Sequence, residues 1–349
     1  MRKIVHHEKA KDMGICAAGF ARRRAKARRI SLLLLLFWVF LAGLLLCLGD
    51  QHYVPSLVLR VLLGEEVKGA SYAVCTIRLP RVLVGSLAGF SFAVAGNVFQ
   101  KMLRNSLASP DVMGITSGAS ASAVFAMMVL GQSGLVVSGF ALAGGVLAAL
   151  CILLISRGPS FSVNKMILTG IGLQAMLQGV INFVILKTSD YNIADALRWL
   201  SGSLNGVRMK DAALFGPIVA FCTLLILSQN RELEILGLGE ELPITLGLSA
   251  GRTRILLLFS AVILCAGTTA VTGPLACVAF MSGPIAAGLL KTGGTGTVQA
   301  GLVGMNLVLC SEALGQFATN TRYPVGVVTG IIGAPYLIWL LLRMNRKGA

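Results

Sequence analysis

Three amide side chains recur at a spacing of four residues within an apolar stretch: Gln174, Gln178 and Asn182. In a helix this spacing places them along one face. Asn97 and Gln100 form a shorter polar patch in another apolar stretch. Polar side chains inside a membrane either hydrogen-bond to a neighbouring helix or line a hydrated path. The residues alone leave both alternatives open.

Groups that could carry out catalysis or hold a metal ion are scarce. The histidines are His6, His7 and His52, and the eight cysteines are scattered without a CxxC pair. The pattern therefore predicts neither a metal site nor a disulfide framework, and it offers no nucleophile–base pair for an intramembrane enzyme. Glu312 is the one acid inside an apolar run. A transporter driven by an ion gradient is expected to bury several acids or histidines, so the sequence disfavours that class as well.

Residues 229–254 form the longest polar interruption of the apolar part of the chain, with four acids and three bases. Glu240–Thr245 is predicted to form a short helix, because Pro243 is tolerated in a first turn and Gly247 can end a helix. A short helix held between two membrane spans is suited to docking on a soluble partner. An ordinary solvated loop is the alternative.

The elements that position these residues are predicted to be membrane-spanning helices. Hydrophobic residues make up 56% of the 349-residue chain and charged residues 13%, which is typical of a polytopic membrane protein. Several uncharged runs exceed the roughly 20 residues that cross a bilayer as a helix, and their continuous pattern excludes a barrel. The predicted fold class is all-α with about ten transmembrane helices. They are expected at residues 31–49, 77–99, two within 112–156, 166–186, 211–228, two within 255–290, 298–317 and 324–342.

Breaks and contacts between these helices are also predicted. The two longest runs are expected to break near residues 132–134 and 272–274, where glycine or proline interrupts them. Gly85 and Gly89, and likewise Gly326 and Gly330, have the four-residue spacing that lets membrane helices approach closely.

The net charge of +16 is concentrated near the ends of the chain. Ten Lys and Arg residues lie within residues 1–30, and three more follow the last apolar run. Basic clusters beside membrane spans mark the cytoplasmic side, so both termini are predicted to be cytoplasmic and no nucleic acid partner is expected. The predicted domains are a basic cytoplasmic segment at 1–30, a membrane domain at 31–343 containing the cytoplasmic segment 229–254, and a cytoplasmic tail at 344–349.

Several stretches together resemble one known family. They are RLPRVLVGSLAGFSFAVAGNVFQKMLRNSLASPDVMGITSGAS (78–120), ILTGIG (167–172), GSLNG (202–206), LGLGEELPITLGL (236–248) and YPVGVVTGIIGAPYLIWLLLR (323–343). Over roughly residues 31–343 the chain is similar to the FecCD-type permeases of ABC importers, and it looks closest to the ferric enterobactin branch. The resemblance implies a type II ABC importer permease fold and ATP-driven uptake of ferric siderophores, with cobalamin or haem as alternative substrates.

The resemblance also implies partners. They are a second FecCD-type permease, expected to be a paralogue, two cytosolic ABC ATPase subunits, an extracytoplasmic siderophore-binding protein and the lipid bilayer of the cytoplasmic (inner) membrane. Gly283 and Gly288 are spaced like the start of a phosphate loop, but Leu289 stands where lysine is required. The chain is therefore expected to be non-catalytic and to bind no cofactor itself, with ATP and Mg²⁺ on the partner ATPase.

The residue roles implied by the resemblance follow the matching motifs. Arg78 and Arg81 are expected to contact acidic residues of the binding protein, a task that suits the bidentate geometry of arginine. The translocation path is expected at Asn97, Gln100, Gln174, Gln178 and Asn182, and the inner gate at Ser162, Val163 and Asn164. The residues expected to couple to the ATPases are Gly239, Glu240, Glu241, Leu242, Leu246, Gly247 and Leu248.

The chain departs from the family pattern at two places. Gly283-Pro284 stands where many relatives carry Pro-His, and Glu312 and Gln316 stand where many carry an Asp and an Arg. Roles that depend on those charges in relatives therefore do not carry over to this chain.

Overall fold

The computed structural model describes residues 2–156, 163–188, 193–239, 243, 245–246, 249–291 and 296–348. These residues form helices and connecting turns, and no strand occurs among them. The all-α fold class predicted from the continuous apolar runs is confirmed.

Thirteen α-helices occur in the described part of the chain. In chain order they are α1 (Arg2–Cys47), α2 (Pro55–Leu62), α3 (Leu79–Met102), α4 (Ile115–Met128), α5 (Leu135–Ile155), α6 (Val163–Lys187), α7 (Ile193–Leu200), α8 (Met209–Ser228), α9 (Asn230–Leu236), α10 (Ala250–Thr272), α11 (Val278–Leu290), α12 (Thr297–Phe317) and α13 (Val325–Gly348). Within this part, eight helices are long and apolar enough to cross a membrane, namely α1, α3, α5, α6, α8, α10, α12 and α13. The shorter apolar helices α4 and α11 bring the total to the predicted ten.

The predicted breaks separate the helices at both long runs. α4 ends at Met128 and α5 begins at Leu135, while α10 ends at Thr272 and α11 begins at Val278. Gly273 has a φ of 73°, a left-handed conformation that favours glycine. Both predicted breaks are therefore confirmed.

The short helix α4 begins deep inside the bundle. Gly114, which precedes it with a φ of 76°, lies beside Gly170 and Gln174 of α6. These two residues lie roughly 10–16 Å along α6 from its first residue, at 1.5 Å per residue. Irregular backbone at membrane depth is tolerated where protein surrounds it, which explains how α4 can be shorter than a full span.

Helical structure also extends beyond the predicted spans. α1 continues without a break through the basic N-terminal residues. A π-helical segment, Tyr72–Arg78, leads directly into α3. α2, α7 and α9 occupy stretches interpreted as loops from the sequence; α2 forms because Pro55 suits a first turn and because Val58 and Val61 are buried. Short amphipathic helices of this kind are stabilised by burial more than by propensity.

The two ends of the bundle differ in charge. At the basic end, α1 carries Arg22–Arg29 and Gln299 at the start of α12 donates a hydrogen bond to Ser31 of α1 at 2.9 Å. At the far end, α1 finishes at Cys47 and α3 begins. We use the names basic end and far end for these two surfaces throughout.

α3 is the most deeply buried of the membrane-crossing helices, and glycines set its distance from its neighbours. A Cβ added at Gly89 would overlap the backbone of Gly304 on α12, and one added at Gly96 would overlap the carbonyl of Ala279 on α11. Gly85 also faces side chains across this contact. The close packing predicted for Gly85 and Gly89 is confirmed.

Candidate functional site

The amide stripe of α6 is exposed on the surface of this chain. Gln178 and Asn182 are exposed and the Gln178 amide donates a 3.3 Å hydrogen bond to the side chain of Asn182. Gln174 is half-buried, with its backbone beside Gly114. The apolar Met176 and Phe183 of the same helix are each 61% exposed. α6 therefore presents a mixed polar and apolar surface that another subunit or a hydrated path can complete.

Asn97 and Gln100 are located differently. Asn97 is 3% exposed, and its amide donates a hydrogen bond to the Thr297 hydroxyl at 3.1 Å. The Gln100 amide donates to the carbonyls of Ser106 and Phe280 at 3.0 and 2.8 Å. In this structure their buried amides bond α3 to neighbouring segments, and the path role of these two residues stays a prediction.

Arg78 is engaged at the C-terminal end of α1. Its guanidinium donates hydrogen bonds to the carbonyls of Leu46, Cys47 and Gln51 at 2.7, 3.1 and 2.7 Å. It also lies 4.8 Å from the centre of the Tyr53 ring. A cation at a helix C-terminus satisfies carbonyls that have no partner within the helix and interacts favourably with the helix dipole.

We therefore expect Arg78→Ala to destabilise the far end by roughly 1.5–3 kcal/mol, the contribution of a hydrogen bond from a charged group. The melting temperature of the purified protein measures this effect. Lys68→Ala changes an exposed cation of the same end and serves as the control. Equal melting temperatures for the two variants would contradict the capping role.

Arg81 belongs to a second network at the far end. Its Nε lies 3.5 Å from the Glu312 carboxylate on α12, and its Nη2 donates a hydrogen bond to the Asn205 side chain at 2.6 Å. Glu312 also accepts a hydrogen bond from Gln316. The side chains of Arg81 and Glu312 are 18% and 6% exposed. This network joins α3, α12 and the GSLNG loop. It identifies Arg81 as the charged partner of Glu312, which the sequence pattern does not indicate.

The predicted gate and coupling residues are only partly described. Ser162, Glu240, Glu241, Leu242, Gly247 and Leu248 lie outside the described residues. Val163 begins α6, Asn164 is exposed, and Gly239 has a φ of 145°. Leu246 is 62% exposed, and its coupling role stays a prediction.

α9 anchors the first part of segment 229–254. Its residues Leu233 and Leu236 are 0% and 3% exposed, and Asn230 accepts a 3.0 Å hydrogen bond from the Thr297 hydroxyl. Thr297 thus links α9 to Asn97 of α3. Neither contact was predicted, although the Leu233–Leu236 spacing is a signal of a helix face that buries itself.

Comparison with known proteins places these features in a family. A sequence profile described as the FecCD transport family matches residues 32–343. The chain belongs to this family. The match covers nearly every helix described above, so FecCD membership applies to the whole bundle and not to a single motif.

Curated FecCD relatives have similar length. The chain is 33% identical over 300 residues to the ferric enterobactin transport system permease protein FepG of Escherichia coli (strain K12), covering 86% of this chain and 91% of that protein. It is 31% identical over 330 residues to the Fe(3+)-citrate import system permease protein YfmE of Bacillus subtilis (strain 168), covering 93% and 98%.

A solved structure shares the FecCD fold. It is described as an inward-facing conformation of a metal-chelate type ABC transporter, and it superposes with a TM-score of 0.79 over 90% of this chain and 99% of that chain. Sequence identity is 23%, so the likeness shows the fold alone.

The residue that sequence reasoning missed at the far end is Asn205. It lies in the GSLNG motif (202–206), whose resemblance to the family predicts no contact for it. The loop is held by a hydrogen bond from the Ser203 amide to the Thr272 carbonyl at 2.8 Å, and Gly202 accepts one from the Gly326 amide at 3.0 Å. Asn205 is thereby positioned to accept from Arg81.

Proposed function

We propose that this FecCD chain is a permease subunit of an ATP-driven importer of ferric siderophores. The observation that carries the proposal is the 33% identity with a ferric enterobactin permease over almost the full length of both chains. The structure supports a transport role because an amide stripe is exposed on a membrane-crossing helix. The chain itself contributes the path, and ATP with its Mg²⁺ is bound by a separate ATPase.

The proposed orientation places the basic end in the cytoplasm. Arg22–Arg29 continue α1 beyond its apolar half, and Lys101 and Arg104 lie at the same end of α3. An excess of Lys and Arg marks cytoplasmic segments. Both termini are then cytoplasmic in a multi-pass inner-membrane protein.

The proposed partners follow from this orientation. A second FecCD-type permease, which we take to be a paralogue, would face the exposed stripe of α6 and complete the path. Two ATPases would bind at the basic end, where α9 lies. An extracytoplasmic siderophore-binding protein would dock at the far end. The docking role of Arg78 and Arg81 stays a prediction, and in this structure both guanidinium groups are engaged within the chain.

Uptake in whole cells tests the proposed function. Deleting the gene is expected to abolish accumulation of radiolabelled ferric siderophore, and a plasmid copy should restore it. The purified complex should contain ATPase subunits whose hydrolysis rises when loaded binding protein is added. Unchanged iron uptake in a strain that lacks paralogues, together with lost cobalamin or haem uptake, would replace the proposed substrate with one of those two.

Gln178→Leu is expected to slow transport severalfold without lowering the melting temperature. The reason is that Gln178 is exposed and hydrogen-bonds within its own helix, so its loss removes a polar wall group and no bond between helices. Transport in proteoliposomes and thermal unfolding measure the two effects. Met176→Leu, an apolar change at an exposed site of the same helix, is the control. A lower melting temperature with an unchanged transport rate would assign Gln178 to helix packing instead.

A further inference from the structure

A cleft of about 750 Å³ lies at the far end between α5 and α8. α10 packs against both helices and forms the floor through Gly267, Ala270 and Val271. Gly267 has no side chain and Ala270 has only a methyl group, so the floor of the cleft lies close to the α10 backbone. The volume falls within the roughly 300–1,000 Å³ typical of ligand pockets.

The rim of the cleft carries two cations. Arg208 and Lys210, at the start of α8, line the rim and are exposed. Two acids line the cleft as well: Asp211 accepts a 2.8 Å hydrogen bond from the Arg208 backbone amide, and the exposed Asp195 lies 3.9 Å from Arg198. Among the described residues, no carboxylate forms an ion pair with the side chain of Arg208 or Lys210. When Arg198 is counted with its partner Asp195, the rim holds three cations and two acids, so it keeps a net positive charge for a ligand.

The walls of the cleft are apolar and exposed. Leu135 of α5 is 59% exposed, and Leu214 and Ile218 of α8 are 58% and 40% exposed. Both helices are of membrane-crossing length and composition. The cleft therefore opens sideways toward hydrocarbon, while its rim lies at the ends of the spans.

The depth of the cleft matches half a bilayer. Ile218 follows Lys210 by eight residues, which corresponds to roughly 12 Å along the helix. Half of a hydrocarbon core about 30 Å thick is about 15 Å. A ligand with an anionic group at the rim and an apolar chain of this reach fits both parts of the cleft.

We propose that this cleft binds one anionic glycerophospholipid. Its phosphate contacts Arg208 and Lys210 through charge-assisted hydrogen bonds. One acyl chain lies along Leu214 and Ile218 over the glycine and alanine of α10. The net positive charge of the rim favours a lipid with a net negative headgroup over a zwitterionic one. The lipid fills the gap between α5 and α8, and the site is independent of the transported substrate.

Lipid retention by the purified transporter tests the proposal. The complex is washed in detergent, and phosphatidylglycerol per chain is quantified by mass spectrometry. Two variants each remove one part of the site. The double variant Arg208→Gln with Lys210→Gln removes the charges of the rim, and Gly139→Leu fills the space of the acyl chain. An added Cβ at Gly139, which lines the cleft, meets no atom within 4 Å, so a leucine there occupies the lipid space without disturbing the fold.

The wild-type complex is expected to retain phosphatidylglycerol, and each variant should lower its retention by about tenfold, equivalent to about 1.4 kcal/mol. Lys68→Gln and Gly43→Leu are matched controls, since Lys68 is exposed and an added Cβ at Gly43 also meets no atom within 4 Å. If the double variant fails to assemble, the lipid retention measured for Gly139→Leu tests the proposal by itself. Equal retention in all proteins, or none in the wild type, would overturn the proposal. So would a photocrosslink from Gly139→Cys to the second permease, because the cleft would then be a protein interface.

Discussion

Glu312→Ala is expected to destabilise the bundle by about 3–5 kcal/mol, the cost of removing one partner from a buried ion pair. The Arg81 guanidinium would remain largely buried between α3 and α12, with the Asn205 side chain as its remaining contact in this network. The expected result is a large fall in melting temperature and in the amount of folded protein in the membrane. Thermal unfolding of the detergent-solubilised protein measures it.

A compensating pair separates the charge effect from simple loss of packing. Arg81→Met with Glu312→Leu removes both charges and keeps the side-chain volume, so stability should return to within about 1–2 kcal/mol of the wild type. Glu312→Gln retains a hydrogen-bond acceptor for Arg81. Its stability should lie between that of Glu312→Ala and that of the double variant. A double variant as unstable as Glu312→Ala would show that the ion pair is not the source of the loss.

The double variant also bears on docking. If Arg81 serves only to join α3 to α12, the stable double variant should still bind the extracytoplasmic binding protein. If Arg81 contacts that protein as the family resemblance implies, docking should fall although the permease remains folded. Docking measured with this double variant therefore shows whether Arg81 only joins the two helices or also contacts the binding protein.

Gly96→Ala is expected to lower stability by about 3 kcal/mol, the upper part of the range for overpacked cores. The added methyl would overlap the carbonyl of Ala279, and a backbone atom cannot move away as a flexible side chain can. α3 and α11 would have to separate, which would also disturb the neighbouring Gly89–Gly304 contact. Membrane accumulation and melting temperature measure the effect.

Gly43→Ala is the matched control for this substitution. An added Cβ at Gly43 meets no atom within 4 Å, and alanine favours a helix over glycine by up to about 1 kcal/mol in soluble hosts. This variant should be as stable as the wild type or slightly more so. Similar effects of the two substitutions would mean that helix propensity, and not the contact with α11, governs glycine in this bundle.

The sequence by itself determined the elements of this protein. Apolar runs of known length predict helices because a bilayer requires about 20 residues and satisfied backbone groups. Gly273-Pro274 predicted the break between α10 and α11, and the Gly85–Gly89 spacing predicted close packing. Each of these signals is local, since it depends on residues within a few turns of one another. The motifs that resemble the FecCD family are local signals as well, since each is a contiguous stretch of the sequence.

Only the tertiary structure decided which polar groups meet. Nothing near Arg81 in the chain indicates Glu312 or Asn205, and nothing near Asn97 indicates Thr297, because these partners come from separate helices. The same is true of the cleft, whose floor, walls and rim belong to different helices. Helical periodicity shows that a residue shares a face with its local neighbours. Whether that face meets another helix, a partner subunit or lipid depends on how the helices pack, which the local pattern does not contain.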